Sequence, residues 1–247
     1  RVILPIEPPP RLLAVSSAGR VAMVRWEFAG QQPGSLERFL PNGLEGDPVV
    51  SLLQLPQQES DKLSLGLLSS DGRFKRLPLE EVLDLSGRAT SVVKLKDGVK
   101  LKDATICVEH QDLLLFSDIG RALRLPINDE TLPLMGRLAQ GPMTMRLLPG
   151  EQLAAAMVPK TPNVVIVSTQ GGISRVDLST LRRSQRGDLG TMVIQLKDDA
   201  DRIAGVAAAA GLIGVRSSEQ RNGRIDSSSL EEVQPGQTFN DQLKLNN

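Results

Sequence analysis

The chain has 247 residues, with 29 basic and 29 acidic side chains, one His, one Cys, no Tyr and six aromatic residues, five Phe and Trp26. That length makes one large domain or two small ones. A single Cys excludes a disulfide framework or a Cys-based zinc site within the chain, and a single His excludes multi-His metal chemistry, so no cofactor is expected in it. The cysteine usage fits a reducing cytoplasm. The apolar run from Ile203 to Val215 is 13 residues long, short of the roughly 20 that a membrane-spanning helix needs, and no basic-then-apolar leader opens the chain. A start at Arg1 rather than Met reads as a piece of a longer polypeptide. Zero net charge argues against general stickiness toward polyanions, but leaves the arrangement of charge open.

Self-similarity dominates the sequence. LLAVSSAGRVAMV (12–24) recurs as LGLLSSDGRFKRL (65–77), LLLFSDIGRALRL (113–125) and VVIVSTQGGISRV (164–176), and more loosely as LIGVRSSEQRNGRI (212–225). In the first four copies Ser holds the fifth place (Ser16, Ser69, Ser117, Ser168) and Gly the eighth (Gly19, Gly72, Gly120, Gly171). Each copy is an apolar run, a polar turn with Gly and an alternating run, which predicts two antiparallel strands joined by a tight hairpin. Further strand-like runs follow in each repeat: VVSLLQL (49–55), SVVKLK (91–96), ATICVE (104–109), MTMRLL (143–148), LAAAMV (153–158), MVIQL (192–196) and IAGVAA (203–208). Helical periodicity is poor apart from a turn at Leu79–Leu83.

About four strands per fifty residues, repeated, predicts blades of a propeller or related toroid. The repeats divide the chain as about 12–63, 64–111, 112–162, 163–210 and 211–233 within a single domain spanning 1–233. Residues 1–10 are expected to add a strand that helps close the toroid, Gln31–Asp47 to form a long loop, and 234–247 to be a polar, disordered tail. WD-type blades need a recurrent Trp-Asp pair at a shorter period, and kelch-type blades are expected to carry aromatic anchors. One Trp and no Tyr exclude both.

The repeat resembles that of the C-terminal domain of bacterial type IIA topoisomerase A subunits, found in DNA gyrase and topoisomerase IV. LLSSDGRFKRLPLEEV (67–82) and VVIVSTQGGISRVDLSTL (164–181) are close examples, and the resemblance runs from about Leu12 to Leu230. It implies an all-β fold, a β-pinwheel of five four-stranded antiparallel blades with six as the alternative, whose basic rim bends double-stranded DNA. It also implies as partners the ATPase B subunit plus the remainder of the A subunit, with a bacterial, nucleoid-associated setting in the cytoplasm. The parent enzyme cuts through a Tyr nucleophile, so a chain without Tyr is a non-catalytic part of it. The gyrase family carries a Gln-Arg-Gly-Gly-Arg-Gly box. Here QRGDLG (Gln185, Arg186, Gly187, Asp188, Leu189, Gly190) matches at four of six places, and it lies in the fourth repeat rather than the first.

No repeat departs from neutrality by more than one unit of charge. Within repeats, Arg73, Lys75 and Arg76, then Arg121 and Arg124, then Arg175 follow successive hairpins, and Arg182, Arg183 and Arg186 lead into the box. Recurrence at one place per blade would lay a cationic stripe along the rim, and such a stripe supplies sequence-independent affinity for phosphate. Lys94, Lys96, Lys100 and Lys102 alternate along two expected strands, which would put them on one sheet face. The rival reading is a protein-binding propeller, suggested by zero net charge and the acids within each repeat. Cys107 is expected in the core, His110 in an exposed turn, and Trp26 as a packing residue.

Overall fold

The computed structural model describes residues 11–25, 36–56, 62–83, 85, 88–219 and 221–243. The expected strand within 1–10 and the packing of Trp26 lie outside the described residues. Contacts divide the chain into two compact units, 1–111 with 127–143 and 112–126 with 144–247.

In the first unit the hairpin β1 (Arg11–Ser16) and β2 (Arg20–Met23) is flanked by β3 (Val49–Leu55) and β6 (Thr90–Ser91) in the order β3-β1-β2-β6. The second hairpin, β4 (Leu63–Ser69) and β5 (Phe74–Pro78), pairs with β7 (Leu101–Val108) in the order β5-β4-β7. A single helical turn, α1 (Glu80–Leu83), follows β5, as the Leu79–Leu83 pattern predicts. The first strands are buried on both faces. In β4, for example, every residue from Ser64 to Ser69 is buried. Strands covered on both sides read as near-continuous apolar runs, hence the weak alternation of these segments. Leu13, Val15, Val21, Leu65, Leu67, Leu77, Val82 and Leu101 form one core.

In the second unit β8 (Asp112–Ser117) and β9 (Arg121–Pro126) sit in the order β10-β8-β9-β13, with β10 at Leu153–Met157 and β13 at Thr191–Met192. The next hairpin, β11 (Asn163–Ser168) and β12 (Gly172–Asp177), lies between β15 (Ile203–Ala208) and β18 (Glu232–Val233), and β20 (Asp241–Gln242) also pairs with β12. Two small sheets complete the unit: β14 (Ile194–Gln195) with β19 (Gln237–Thr238), and the fifth-repeat hairpin β16 (Leu212–Arg216) with β17 (Asn222–Asp226). Phe116, Ile166, Val176, Val193, Ile194 and Val233 belong to its core.

All five hairpins form where the repeat places them, and four carry sheets of three to five strands. The fifth is two-stranded among the described residues. Two expectations need correcting. The polar tail is ordered as far as Leu243: Leu243 donates its N–H to Gly171 O at 2.7 Å and Asn240 donates to Ser174 Oγ at 2.9 Å. Polarity misled there, because backbone pairing with β12 and β14 holds the tail while Phe239 and Leu243 pack on the core. The runs 91–96 and 143–148 are also not continuous strands, since pairing is confined to Thr90–Ser91 and to isolated bridges at Met143 and Met145.

Candidate nucleic-acid interface

The hairpin turn explains the recurrent Ser and Gly. The Gly N–H donates to the carbonyl of the Ser three residues earlier in each of the first four repeats, at 3.0 Å for Gly19, 3.1 Å for Gly72, 3.2 Å for Gly120 and 3.0 Å for Gly171. Closing the turn this way needs a positive φ, 94° at Gly120, which glycine adopts without a steric cost. The Ser hydroxyl then accepts the next N–H along the chain: Arg20 to Ser16, Arg121 to Ser117, Gly172 to Ser168 and, in the fifth repeat, Arg221 to Ser217, at 3.0–3.3 Å. An acid from a later segment caps the turn in two repeats. Asp47 Oδ1 accepts from the Ser17 hydroxyl and Ala18 N–H, and Asp201 Oδ1 from the Thr169 hydroxyl and Gln170 N–H. Burial works to raise both carboxyl pKa values, but these hydrogen bonds outweigh it and both lie below the usual aspartate value.

The turn sets where the second strand begins, and so places basic residues directly after it (Arg20, Arg73, Arg121, Arg221) and three residues beyond that place (Arg76, Arg124, Arg175, Arg224). The post-hairpin group was expected at the rim; the structure places most of it elsewhere. Lys75 and Arg76 are each only 1% exposed and Arg121 6%. Arg76 donates to Glu109 at 2.6 Å and Asp129 at 2.7 Å, and Lys75 Nζ donates to the carbonyls of Val92 and Arg137. Arg121 forks onto Glu151 and also reaches Leu189 O. Arg124 holds Asp112 at 2.8 Å and Leu181 O at 3.0 Å, Arg175 holds Glu232 at 2.9 Å, and Arg73 holds Asp71 and Gly141 O.

The reason is topological. The second strand is not the outer edge of its sheet, because a later segment, here termed the strap, lies along it. Arg76 stands opposite Leu134, Arg124 opposite Arg183 and Arg175 opposite Glu232, all in parallel register. Farther along the strap the register is antiparallel: Arg73 faces Met143, Arg121 faces Met192 and Gly172 faces Gln242. The arginines clamp the strap instead of facing solvent.

The straps and loops carry the accessible cations. Arg182, Arg183 and Arg186 are exposed, with Arg183 paired to Asp112 at 2.8 Å. The box forms a turn: Gly187, at φ +83°, donates to Thr144 O at 2.8 Å, Arg146 donates its N–H to Asp188 O at 3.0 Å, and Met145 bridges Asp188. This sets exposed Arg146, which sequence reasoning missed, on the segment paired with the box, next to Met145, which stands opposite Asp188. No spacing in the sequence signals it, since only the pairing of 144–146 with Gly187 and Asp188 brings this segment to the box. The Asp188 carboxylate accepts Gln185 N–H at 2.8 Å and closes the turn. In the first unit Lys94, Lys96 and Lys100 are exposed and Lys102 half-buried. They flank a turn closed by Val99 N–H on Lys96 O at 3.0 Å, so they do not alternate along two strands as expected.

Cys107 is fully buried, which pushes its thiol up to about 12, and exposed His110 occupies a positive-φ turn at 68°. Among the described residues no group of three His, Cys, Asp or Glu side chains is placed to hold a metal ion, and no helix is long and apolar enough to cross a membrane.

The model of a family described as "DNA gyrase C-terminal domain, beta-propeller" matches residues 67–107, 111–160 and 162–210. The chain is 30% identical over 188 residues to the A subunit of DNA topoisomerase 4 from Synechocystis, covering 70% of this chain and 20% of that protein. It is 25% identical over 205 residues to the A subunit of DNA gyrase from Mycolicibacterium smegmatis, covering 78% and 24%. It thus spans about a fifth to a quarter of the length of these relatives. Among solved structures, a DNA gyrase A C-terminal domain superposes with a TM-score of 0.83 at 19% identity, covering 98% of this chain and 80% of that one. The C-terminal domain of a DNA topoisomerase IV superposes at 0.78 and 15%, covering 95% and 75%. With its recurrent Ser/Gly hairpins, strap-completed antiparallel sheets and the match of its middle three repeats, the chain belongs to the family of DNA gyrase C-terminal domains, the all-β, propeller-like C-terminal domains of type II topoisomerase A subunits.

Proposed function

We propose that this domain binds duplex DNA without sequence preference and bends it, presenting a segment to the strand-passage gate of a type II topoisomerase. The observation that carries the reading is the exposed trio Arg146, Arg182 and Arg186 on the paired segments around the box turn, backed by family membership. Lys94, Lys96 and Lys100 are a second exposed group. Guanidinium and ammonium contacts to phosphate carry affinity but no base information. Smooth bending of a 20–30 bp site costs on the order of 1–6 kcal/mol, which several such contacts offset. On this reading the five repeats act as one β-pinwheel domain, without catalysis or a cofactor of its own. Its partners are duplex DNA, the remainder of the A subunit, plus the ATPase B subunit, in the bacterial cytoplasm.

The test is an electrophoretic titration of unrelated linear duplexes at several salt concentrations. Replacing Arg146, Arg182 and Arg186 together with Ala is expected to weaken binding equally for each duplex and to make the salt slope shallower by roughly 2 to 3. An unchanged affinity, or no binding by the parent at low salt, favours the protein-binding scaffold instead. That rival draws on the ion pairing of Arg73, Arg76, Arg124 and Arg175.

A further inference from the structure

The turn at the box recurs in the straps of the neighbouring repeats. In the second repeat the strap runs from Leu134, opposite Arg76, to Met143, opposite Arg73. In the third it runs from Arg183, opposite Arg124, to Met192, opposite Arg121, and has the same length. Each strap turns at the same place through one backbone hydrogen bond: Ala139 N–H to Gly136 O at 3.1 Å, Asp188 N–H to Gln185 O at 3.3 Å and, in the fourth repeat, Gln237 N–H to Gln234 O at 3.2 Å. Arg137 thus stands where the box has Arg186, and the fourth strap has Pro235 there. The likeness is hidden in the sequence, because GRLAQG (136–141) shares only its Arg and its last Gly with QRGDLG.

The segment that leaves one strap runs beside the next strap turn. After Met143 come buried Thr144 and Met145 and exposed Arg146, and after Met192 come buried Val193 and Ile194 and exposed Gln195. Ser91 faces Arg20 as Met143 faces Arg73 and Met192 faces Arg121, and it is followed by buried Val92 and Val93 and exposed Lys94. Thr144 O accepts from Gly187 N–H at 2.8 Å, and Val193 O from Gly236 N–H at 3.0 Å. In the first unit buried Lys75 makes the join, its Nζ donating to Val92 O at 2.5 Å and to Arg137 O at 2.7 Å. Lys94 therefore corresponds to Arg146 as Arg137 does to Arg186.

We propose that Arg137 and Lys94 form a second contact for duplex phosphate, built in the first unit as Arg146 and Arg186 are in the second, and that the fourth strap turn, with Pro235 and Gln195 at the same places, makes none. The inference rests on the DNA binding proposed above. Arg137 differs from the clamping arginines in exposure: its side chain is 41% exposed, against 0% for Arg76. Its Nε donates to the Glu81 carboxylate at 3.2 Å and Nη2 to Glu81 O at 2.8 Å. An ion pair between such half-exposed groups is weak enough for a phosphate to compete with it.

Duplex titrations by fluorescence anisotropy on the full 247-residue chain, at several salt concentrations, decide the matter, with thermal midpoints followed by circular dichroism so that every variant is compared while folded. Arg137→Ala with Lys94→Ala should weaken binding about five- to tenfold and make the salt slope shallower by roughly 2. Arg137→Lys should keep most of the affinity, and Gln195→Ala with Pro235→Ala all of it. Glu81→Gln should tighten binding about two- to threefold in the parent and not in an Arg137→Ala background. Equal tightening in both backgrounds makes Glu81 a general source of field and overturns the contact at Arg137. Parental affinity and slope in the Arg137 and Lys94 double variant, where replacement of Arg146, Arg182 and Arg186 lowers both, overturn this inference and leave the DNA reading standing. A parent chain that binds no duplex overturns both. Affinity lost by the Gln195 and Pro235 variant at an unchanged midpoint overturns the exclusion of the fourth turn.

Discussion

At the residue scale, two glycines with similar backbones separate conformational cost from steric cost. Gly120 has φ +94° and an added Cβ would lie 2.2 Å from the carbonyl oxygen of Ile194, whereas Gly150 has φ +81° and nothing within 4 Å. Gly150→Ala should therefore cost only the left-handed penalty of about 1–2 kcal/mol. Gly120→Ala must also push backbone aside and should cost at least about twice that. Urea midpoints of the two variants check the difference, and equal midpoints would show that the β14 segment yields freely. Lys75 supplies a pH signature. Burial lowers its pKa from 10.5 to about 8, against the opposing pull of Glu81. Above about 8 the unfolded chain holds the proton that the folded chain releases, so stability should rise with pH, by up to about 1 kcal/mol between pH 8 and 9. Above 9 the buried Cys107 thiol, pushed from 9.0 to about 12, acts in the opposite sense, because only the unfolded chain ionises there. Urea midpoints should rise and then flatten. Lys75→Met should remove the rise, and Cys107→Ala should extend it above pH 9.

At the element scale, the strap turns an expected phosphate contact into a clamp. Truncating Arg76 leaves Glu109, with a quarter of its side chain exposed, without its partner, and breaking a buried ion pair from one side costs on the order of 3–5 kcal/mol. Arg76→Ala should lower the denaturation midpoint while leaving the DNA affinity of the folded fraction unchanged. A fall in affinity at an unchanged midpoint would return Arg76 to the rim. The hairpins were legible because Ser, Gly and apolar runs are local signals of turn and strand. The straps were not: pieces such as Thr191–Met192 and Asp241–Gln242 have two residues each, too few for any period, and their strand character comes from the β9 and β12 edges they meet. The accessible arginines were half legible. Arg182 and Arg186 stand in a run that composition picks out, while Arg146 comes to the box only through the pairing of its segment with Asp188.

At the scale of the molecule, basic and acidic residues balance at 29 each, so DNA affinity must come from placement and should be modest and steep in salt. The altered box bears on how DNA would travel over the domain. Where the family box has Gly and Arg, Asp188 closes its own turn with a carboxylate and Leu189 brings no cation, its carbonyl being held by Arg121. The local field is less favourable to phosphate, and DNA is expected to be bent without a full chiral wrap. Nicked circles sealed by ligase on the domain should show little change in linking number, and Asp188→Gly with Leu189→Arg should tighten binding. A strong positive wrap from the unmodified domain would refute this reading of the box.

By itself the sequence determined the all-β class, the fifty-residue repeat, the position of every hairpin and the family, because each rests on local chemistry: a Ser/Gly turn, an apolar run, a motif at fixed spacing. Tertiary structure decided which strands are edges, and with that which cations are free. Period-two reasoning assigns a side chain to one face or the other of a strand but carries no information about a segment that lies far later in the chain, as Leu134 does from Arg76 and Met192 from Arg121. That distant segment covers Arg76 and Arg121, and in the fourth repeat it is the polar tail itself, ordered to Leu243 by its pairing with β12; no described segment lines the fifth hairpin, where Arg221 and Arg224 are exposed.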